Sequence, residues 1–306
     1  MSFQQFIELI ADPDATLSEA PFHEASDPSP GELAEFARVC GELDEERRRE
    51  VVAVMVEQAE ENLELDFTTI FRQCLNDDDD RLVQLGVEGL WEREDRWLIS
   101  ELVKLLRSER GPQVRATAAL ALGKFPVLSQ EGKLQPQDGE LVYRVLMDFL
   151  EDEIEDLEVR RRCLEAVAPF NTEEVQDYIR WAYEDDDQDL RSSSIYAMGR
   201  TGDVGWLPTL LRELESYDPA VRYETAHACG ELGEEDAAPH LVELLQDDDP
   251  EVRMACIGAL GKIGGALARR ALIDCVRDGD AAMSDAAHAE LENLEFLDDP
   301  MRLYPG

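Results

Sequence analysis

A 31-residue repeat of acidic and basic residues constrains the fold of this chain more than any other feature. Aspartates recur at this spacing, and an arginine follows each of the first four after four residues: Asp156 and Arg160, Asp187 and Arg191, Asp218 and Arg222, Asp249 and Arg253, then Asp280 without an arginine. A repeat of this length is typical of stacked helical hairpins that bury their apolar faces against each other. The sequence therefore predicts an all-α chain, an α-solenoid of about seven stacked helical hairpins.

The residues inside each repeat predict a first helix that begins at the aspartate. Aspartate is a favoured N-cap, and Pro219 and Pro250 stand at the first helical position, where proline's missing N–H is not needed. Two columns of small residues recur at the repeat spacing: Cys163, Ser194, Thr225, Cys256 and Ala287, then Ala166, Ala197, Ala228 and Ala259. Small side chains allow neighbouring helices to approach closely. A glycine at a shared position, Gly202, Gly233 or Gly264, is predicted to end the helix in a left-handed cap.

The runs at 218–230 and 249–261 approximate the pattern D-P-x-V-R-x-x-A-x-x-A-L-G. This pattern resembles the HEAT-like repeats, in the short form named for phycobiliprotein lyases, and the likeness extends over residues 77–292. The resemblance implies that the repeat aspartates and arginines form a structural ladder of hydrogen bonds between adjacent repeats. It also implies that the second helix of each hairpin lines a concave face.

The sequence outside the regular repeats indicates that the chain has three parts. Residues 1–31 hold a short amphipathic helix and a proline-containing linker, and the helix either caps the solenoid or binds a partner. Residues 32–297 form the HEAT-like solenoid, in which two helices are expected within 32–75 and Trp91 replaces the usual glycine. An insertion loop at 125–139 either contacts a partner or folds back over the core. Residues 298–306 form a tail.

Two columns on the second helices are polar in most repeats and are therefore predicted to face solvent on the concave side. The candidate partner-binding residues in these columns are Lys104, Tyr178, Trp181, Thr209, Arg212, His240, Glu243 and Asp274. Tyr178 and Trp181 stand out because their counterparts are polar or small, and exposed aromatic residues often anchor binding partners. The alternative is that the first hairpins cover Trp181 or that its indole packs on a neighbouring arginine.

The chain is strongly acidic, with a formal net charge of −41 and an isoelectric point near 4.2. This charge argues against binding to nucleic acids and to anionic membrane surfaces, which both require clusters of Lys and Arg. It favours a protein partner with a basic surface or segment. Solubility and adaptation to high salt are alternative explanations, because 70 acidic residues stand against only four lysines.

Catalysis, a cofactor and a metal site have little support in the sequence. The aspartate runs lack the glycine and distal glutamate of a calcium loop, and the six cysteines contain no C-x-x-C pair. The HEAT-like iron enzyme deoxyhypusine hydroxylase carries His-Glu pairs directly after the repeat arginine. The corresponding pairs here are Arg161-Arg162, Ser192-Ser193, Tyr223-Glu224 and Met254-Ala255. The sequence therefore predicts a protein that is not an enzyme and binds no cofactor or metal.

The sequence favours a non-enzymatic scaffold or regulatory adaptor that binds protein through its concave face. The alternative, implied only by the family resemblance, is a bilin lyase or chromophore chaperone. A structural module of a larger complex is a third possibility. The chain contains no signal peptide and no apolar run of membrane-spanning length, which predicts a cytoplasmic protein. The sequence leaves the oligomeric state open.

Overall fold

The computed structural model describes residues 2–17 and 21–298, with side chains to residue 295. Throughout these residues the chain forms helices joined by short turns, and no strand is present among them. The predicted all-α class, with stacked helical hairpins of the solenoid type, is confirmed. The chain divides into two compact units, which we call unit 1 (Met1–Arg162) and unit 2 (Cys163–Gly306).

Unit 1 is the less regular of the two. Its helices are α1 (Phe3–Ala11), α2 (Pro30–Glu42), α3 (Glu45–Glu61), α4 (Thr68–Cys74), α5 (Asp80–Glu88), α6 (Arg96–Leu106), α7 (Pro112–Leu122), α8 (Phe125–Gln130) and α9 (Pro136–Glu151). Helices α3, α5 and α7 pack side by side, and α4 and α6 pack on them. The prediction of two helices within 32–75 was wrong, because the turn around Leu43 and the turn before Thr68 divide this segment into three.

Unit 2 follows the repeat closely. Its helices are the second part of α10 (Leu157–Val167), then α11 (Glu173–Glu184), α12 (Gln188–Arg200), α13 (Leu207–Glu213), α14 (Pro219–Leu232), α15 (Ala238–Leu244), α16 (Pro250–Ile263), α17 (Gly265–Asp278) and α18 (Ala281–Asp298). The first helices α12, α14, α16 and α18 form one layer, in which each packs against the next. The second helices α11, α13, α15 and α17 pack on that layer.

Close contact between the first helices explains the two columns of small residues in unit 2. Every residue of both columns is buried. A Cβ atom added at Gly199 would lie 2.6 Å from the Cα atom of Ala228, and one added at Gly230 would lie 2.8 Å from that of Ala259. Real Cβ atoms do not approach backbone this closely, so the helices contact each other through glycine and alanine.

Aspartates begin α12, α14 and α16, and glycines end α14 and α16, whereas α12 ends at its C-cap Thr201, one residue before Gly202. The Asp187 carboxylate accepts a hydrogen bond from the Leu190 N–H, and that of Asp218 accepts one from the Ala220 N–H. Gly233 ends α14 in the left-handed helical conformation, as its position predicts. Gly264 also has a positive φ of 65°, but its ψ of −149° places it outside that conformation, because α17 begins at the next residue.

The N-terminal segment is packed, so the prediction of a linker at 11–31 was wrong for the residues described there. Phe6 and Ile10 of α1 are buried, and Phe22 of the expected linker packs edge-on against Phe6 at 5.4 Å between ring centroids. Arg47 of α3 is buried beside the end of α1, where it donates hydrogen bonds to three main-chain carbonyls among others: Ile10 at 3.3 Å, Asp12 at 3.0 Å and Ala15 at 3.0 Å. A cation at a helix C-terminus complements the helix dipole.

The insertion at 125–139 folds back over the core, which was one of its two predicted outcomes. Phe125 and Leu128 of α8 are buried, and α8 packs on α9. Asp138 at the start of α9 is also buried and accepts a hydrogen bond from Arg96 Nη2 at 3.0 Å. The C-terminal tail predicted at 298–306 lies outside the described residues beyond position 298.

Candidate functional site

The predicted binding residues lie at the surface of the second helices. Lys104 lies on α6 in unit 1, and the other seven lie on α11, α13, α15 and α17 in unit 2. The exposed members are Lys104, Trp181, Arg212, Glu243 and Asp274, and the half-buried members are Tyr178, Thr209 and His240. Between the two columns, Ile179, Leu210, Leu241 and Leu272 are fully buried.

Tyr178 and Trp181 form an aromatic pair on α11. Their ring centroids are 6.3 Å apart with an interplanar angle of 81°, an edge-to-face arrangement that aromatic rings favour. Trp181 is 39% exposed, which is unusual for so large an apolar side chain. The pair borders a shallow, open cleft of about 640 Å³ that is lined by residues of α11 alone.

Carboxylates complete the lining of this cleft. Glu173, Glu174 and Asp177 stand on the same helix as the aromatic pair and face the same cleft. They occupy the first turns of α11, where negative charge complements the helix dipole. Aromatic faces and carboxylates both attract cations, so the cleft is suited to the end of a Lys or Arg side chain. We call these five residues the α11 cleft.

A polar network beside the α11 cleft joins α11, α12 and α13. Glu213 is buried, accepts a hydrogen bond from the Tyr183 hydroxyl, and pairs with Arg191 at 2.9 Å. The exposed Arg212 donates a hydrogen bond of 3.0 Å to the Tyr183 hydroxyl oxygen, and the Arg191 guanidinium lies 5.1 Å from the Tyr183 ring centroid. The network fixes the orientation of the second helices on either side of the site.

The remaining predicted residues do not extend this network. Asp274 pairs with Arg277 of its own helix at 2.8 Å. In unit 1, Lys104 pairs with Glu101 at 3.0 Å, again within one helix. Exposed pairs of this kind contribute little to stability, so these charges remain available to a ligand.

Among the repeat arginines of the predicted ladder, Arg253 pairs with the repeat aspartate Asp280 at 3.9 Å, while Arg222 and Arg191 pair with acidic residues outside the ladder. The aspartates accept hydrogen bonds from N–H groups of their own helix, as described above for Asp187 and Asp218. Arg222 of α14 reaches the turn before the next first helix, whereas Arg253 donates a hydrogen bond to the turn before its own helix. Arg222 forms a bidentate pair with Asp247, with Nε–Oδ2 at 2.7 Å and Nη2–Oδ1 at 2.8 Å, and Arg253 donates to the Asp247 carbonyl at 2.8 Å.

The other ladder arginines likewise contact groups away from the repeat aspartates. Arg191 pairs with Glu213, and Arg160 Nε donates to the Leu150 carbonyl at 3.1 Å. The Asp156 and Asp249 carboxylates accept hydrogen bonds from the N–H groups of Glu158 and Glu251.

The pKa values of several titratable groups in unit 2 are shifted by their surroundings. The Arg222 hydrogen bonds hold the pKa of Asp247 below its usual range, although burial opposes this. Burial raises the pKa of the Cys229 and Cys256 thiols to about 12, and that of His227 is lowered, chiefly by burial. Thiols with such a raised pKa are poor nucleophiles and poor metal ligands, because the thiolate is the reactive form.

The part of the chain that the structure describes contains neither a cluster of side chains suited to a metal ion nor a helix suited to cross a membrane. No group of three or more His, Cys, Asp or Glu residues is placed there to hold a metal ion. None of the helices described combines the length and the apolar character needed to cross a bilayer.

Sequence reasoning missed two features. The carboxylates of the α11 cleft and the buried Glu213 lie outside the two columns that the repeat selected. The second missed feature is an apolar cleft in unit 1 beside Trp91, which is 47% exposed. The replacement of a repeat glycine by Trp91 was a usable signal, because a tryptophan cannot make the close helix contact that glycine allows.

The family model for HEAT repeats matches residues 207–292. This part of the chain consists of HEAT repeats. The repeats include α13 to α17, which carry four of the predicted binding residues on the second helices: Arg212, His240, Glu243 and Asp274. No curated protein matches the chain.

Several solved structures are similar to the HEAT-repeat chain at low identity. Human deoxyhypusine hydroxylase is 19% identical over 96% of this chain and 96% of its own, with a TM-score of 0.36. The complex of CpcE and CpcF of phycocyanin lyase from Nostoc sp. PCC7120 is 17% identical over 74% of this chain and 94% of its own, with a TM-score of 0.48. Importin beta is 15% identical over 94% of this chain and 43% of its own, with a TM-score of 0.44. These similarities carry no functional information.

Proposed function

We propose that the protein is a non-enzymatic scaffold or adaptor that binds a basic segment of a partner protein through the second helices of unit 2. The observation that carries this proposal is the α11 cleft, where an exposed tryptophan and its tyrosine neighbour stand beside carboxylates. A Lys or Arg side chain of the partner enters this cleft, its cationic end facing both the aromatic faces and the carboxylates.

The proposed contact combines two favourable terms. A cation over an exposed indole contributes about 0.5–1 kcal/mol, and more as the site loses water. Hydrogen bonds between a guanidinium and a carboxylate are shorter and stronger than neutral ones. Interface residues that dominate affinity are enriched in Trp, Tyr and Arg, which are the residue types found at Trp181, Tyr178 and Arg212.

The net charge of −41 supports a basic partner through its effect on encounter. Attraction between oppositely charged surfaces raises the association rate and weakens as salt is added. At physiological ionic strength the screening length is about 8 Å, so the charges that matter most are those close to the contact. The proposal therefore requires a salt-dependent affinity with an additional apolar contribution from Trp181.

Affinity capture of partners at low salt, followed by a binding titration with each captured basic protein, tests the proposal. Trp181→Ala is expected to weaken binding by about 2 kcal/mol, because it removes the aromatic anchor. Tyr217→Ala is the matched control, since Tyr217 is a fully exposed aromatic residue of the same unit between α13 and α14, outside the α11 cleft. Equal affinity of the Trp181→Ala variant and the wild-type protein would contradict the proposal.

The alternative function, a bilin lyase or chromophore chaperone, stays a prediction from the family resemblance. A change in visible absorbance when a bilin is added to the purified protein would support it. The scaffold proposal predicts no such change, so the two functions give opposite results in one measurement.

A further inference from the structure

An apolar cleft of about 420 Å³ lies in unit 1, between the end of α3 and the end of α5. Its buried lining includes Val56, Phe67 and Phe71. Its exposed lining includes Leu63, which is 88% exposed, and Trp91, which is 47% exposed. Large apolar side chains at this exposure, next to buried aromatic rings, mark a surface suited to an apolar ligand group.

The cleft is held in shape by its surroundings. The Lys124 ammonium donates hydrogen bonds to the carbonyls of Leu90 at 3.2 Å and Trp91 at 2.7 Å, which fixes the main chain that carries the indole. Phe71 packs directly on Gly89, where an added Cβ atom would lie 2.5 Å from the phenyl ring. A preformed site binds with less loss of conformational entropy than one that must be ordered by its ligand.

Carboxylates surround the apolar lining. The cleft is lined by four of them, on Glu60, Asp66, Glu88 and Glu92. The single guanidinium in the lining, that of Arg93, is paired with Asp95 at 3.0 Å and lies 3.9 Å from Asp66. Glu88 is paired with Arg81 at 2.8 Å, so the negative charge of the rim rests mainly on Glu60 and Glu92, and a positively charged ligand is favoured by complementarity.

The negative charge of the chain also makes a second copy of this protein an unfavourable occupant of the cleft. Two chains with a net charge of −41 each repel one another, and a cleft with an acidic rim adds to that repulsion. A partner whose apolar residue is flanked by Lys or Arg complements both the apolar lining and the acidic rim of the cleft.

We propose that this cleft, which we call the Trp91 cleft, is a docking site for a short segment of a basic partner protein. One large apolar side chain of the segment packs between Leu63 and Trp91, and flanking Lys or Arg residues contact the rim carboxylates. The site belongs to unit 1 and uses none of the residues of the α11 cleft, so this proposal goes beyond the proposed function and does not depend on it.

Fluorescence anisotropy with labelled synthetic peptides tests the proposal on the full chain. The probe is the peptide KRKLFKRK, and KRKSSKRK is a control with equal charge and no large apolar residue. The titrations use the Trp181→Ala background, so that peptide binding at the α11 cleft is weakened. We expect KRKLFKRK to bind at least about tenfold more tightly than KRKSSKRK, and Trp91→Ala or Leu63→Ser to remove that advantage.

Charge variants separate the two parts of the contact. Glu60→Gln with Glu92→Gln is expected to weaken both peptides and to reduce the salt dependence, while KRKLFKRK keeps its advantage over KRKSSKRK. Helical circular dichroism spectra matching that of the parent show that the variants are folded, which is expected because Leu63 and Trp91 are exposed. Equal affinity for both peptides, or an advantage that survives both Leu63→Ser and Trp91→Ala, would overturn the proposal. The absence of any binding would overturn it as well.

Discussion

The helices of the two units are packed together by different kinds of side chain. The phenylalanines that are fully buried in the described structure, Phe6, Phe67, Phe71 and Phe125, all lie in unit 1. Unit 2 fills the layer between its first helices with Ala, Ser, Thr, Cys and Gly at fixed 31-residue spacing. Bulky residues fill gaps of irregular shape, whereas small residues require helices at one close and constant distance.

This difference explains why the repeat is regular in one unit and degenerate in the other. Where glycine contacts the backbone of the next helix, as at Gly199 and Gly230, a substitution or a shift of register produces a steric clash. Where an aromatic ring fills the gap, as Phe71 does, helices of unequal length can still be packed. The sequence of unit 2 is therefore constrained by the close contact between its helices. The sequence of unit 1 is constrained by the volume that its buried side chains must fill.

The largest effect that separates the two units is expected from Phe71→Ala. Removing a fully buried phenyl ring leaves a cavity and costs about 3–5 kcal/mol. Hydrogen exchange followed by mass spectrometry should show faster exchange in α4 and α5, with unit 2 unchanged. Leu63→Ala is the control, since that exposed side chain contributes little to the core. Protection from exchange in α4 and α5 equal to that of the wild-type protein would mean that the volume of the buried side chains does not determine the stability of unit 1.

A smaller effect, confined to unit 2, is expected from Gly199→Ala. The added methyl group would lie 2.6 Å from the Ala228 Cα and carbonyl oxygen, and such overpacking costs about 1–3 kcal/mol. Exchange should accelerate in α12 and α14. Gly258→Ala is the matched control, because the nearest atom to its added Cβ is 4.0 Å away, and it should stabilise α16 by up to about 1 kcal/mol. Destabilisation of similar size by both variants would refute close contact as the constraint.

The smallest of the three effects, at about 2 kcal/mol, is expected from Asp247→Asn, which weakens the bidentate pair with Arg222. The folded-state pKa of Asp247 is lowered, so its stabilising contribution is present above the unfolded pKa of about 3.9 and is lost as pH falls through the folded value. The stability difference between wild type and variant should therefore be full at pH 7 and shrink in acid.

Chemical denaturation monitored between pH 7 and pH 2.5 checks this pH dependence. Asp248→Asn provides the control for the change of charge, because the neighbouring Asp248 side chain is exposed. A difference that stays constant down to pH 2.5, or an equal effect of the control, would show that the Arg222 pair does not stabilise unit 2. Unit 1 contains a comparable pair between Arg115 and the largely buried Glu155, so the ladder is a feature that both units share.

The sequence predicted unit 2 well because its information is periodic. The spacing predicted the N-caps, the small columns and the fully buried Ile179 and Leu210, all of which depend on contacts within one repeat or between adjacent repeats. The partners of the arginines were less predictable, since cap geometry and not spacing decides which carboxylate remains available. Asp247 and Glu213, which accept the hydrogen bonds of Arg222 and Arg191, stand at different positions in their repeats.

By itself the sequence determined the all-α class, the HEAT-repeat architecture and the surface position of Trp181, because local periodicity decides which face of a helix is buried. Only the tertiary structure decided that residues 21–25 and the 125–139 insertion pack on the core, because their apolar residues have no repeat partners that would reveal a buried face. It also decided the two clefts. The Trp91 cleft depends on side chains from three helices and the turns beside them, which share no period and come together through packing, whereas the α11 cleft lies on one face of a single helix.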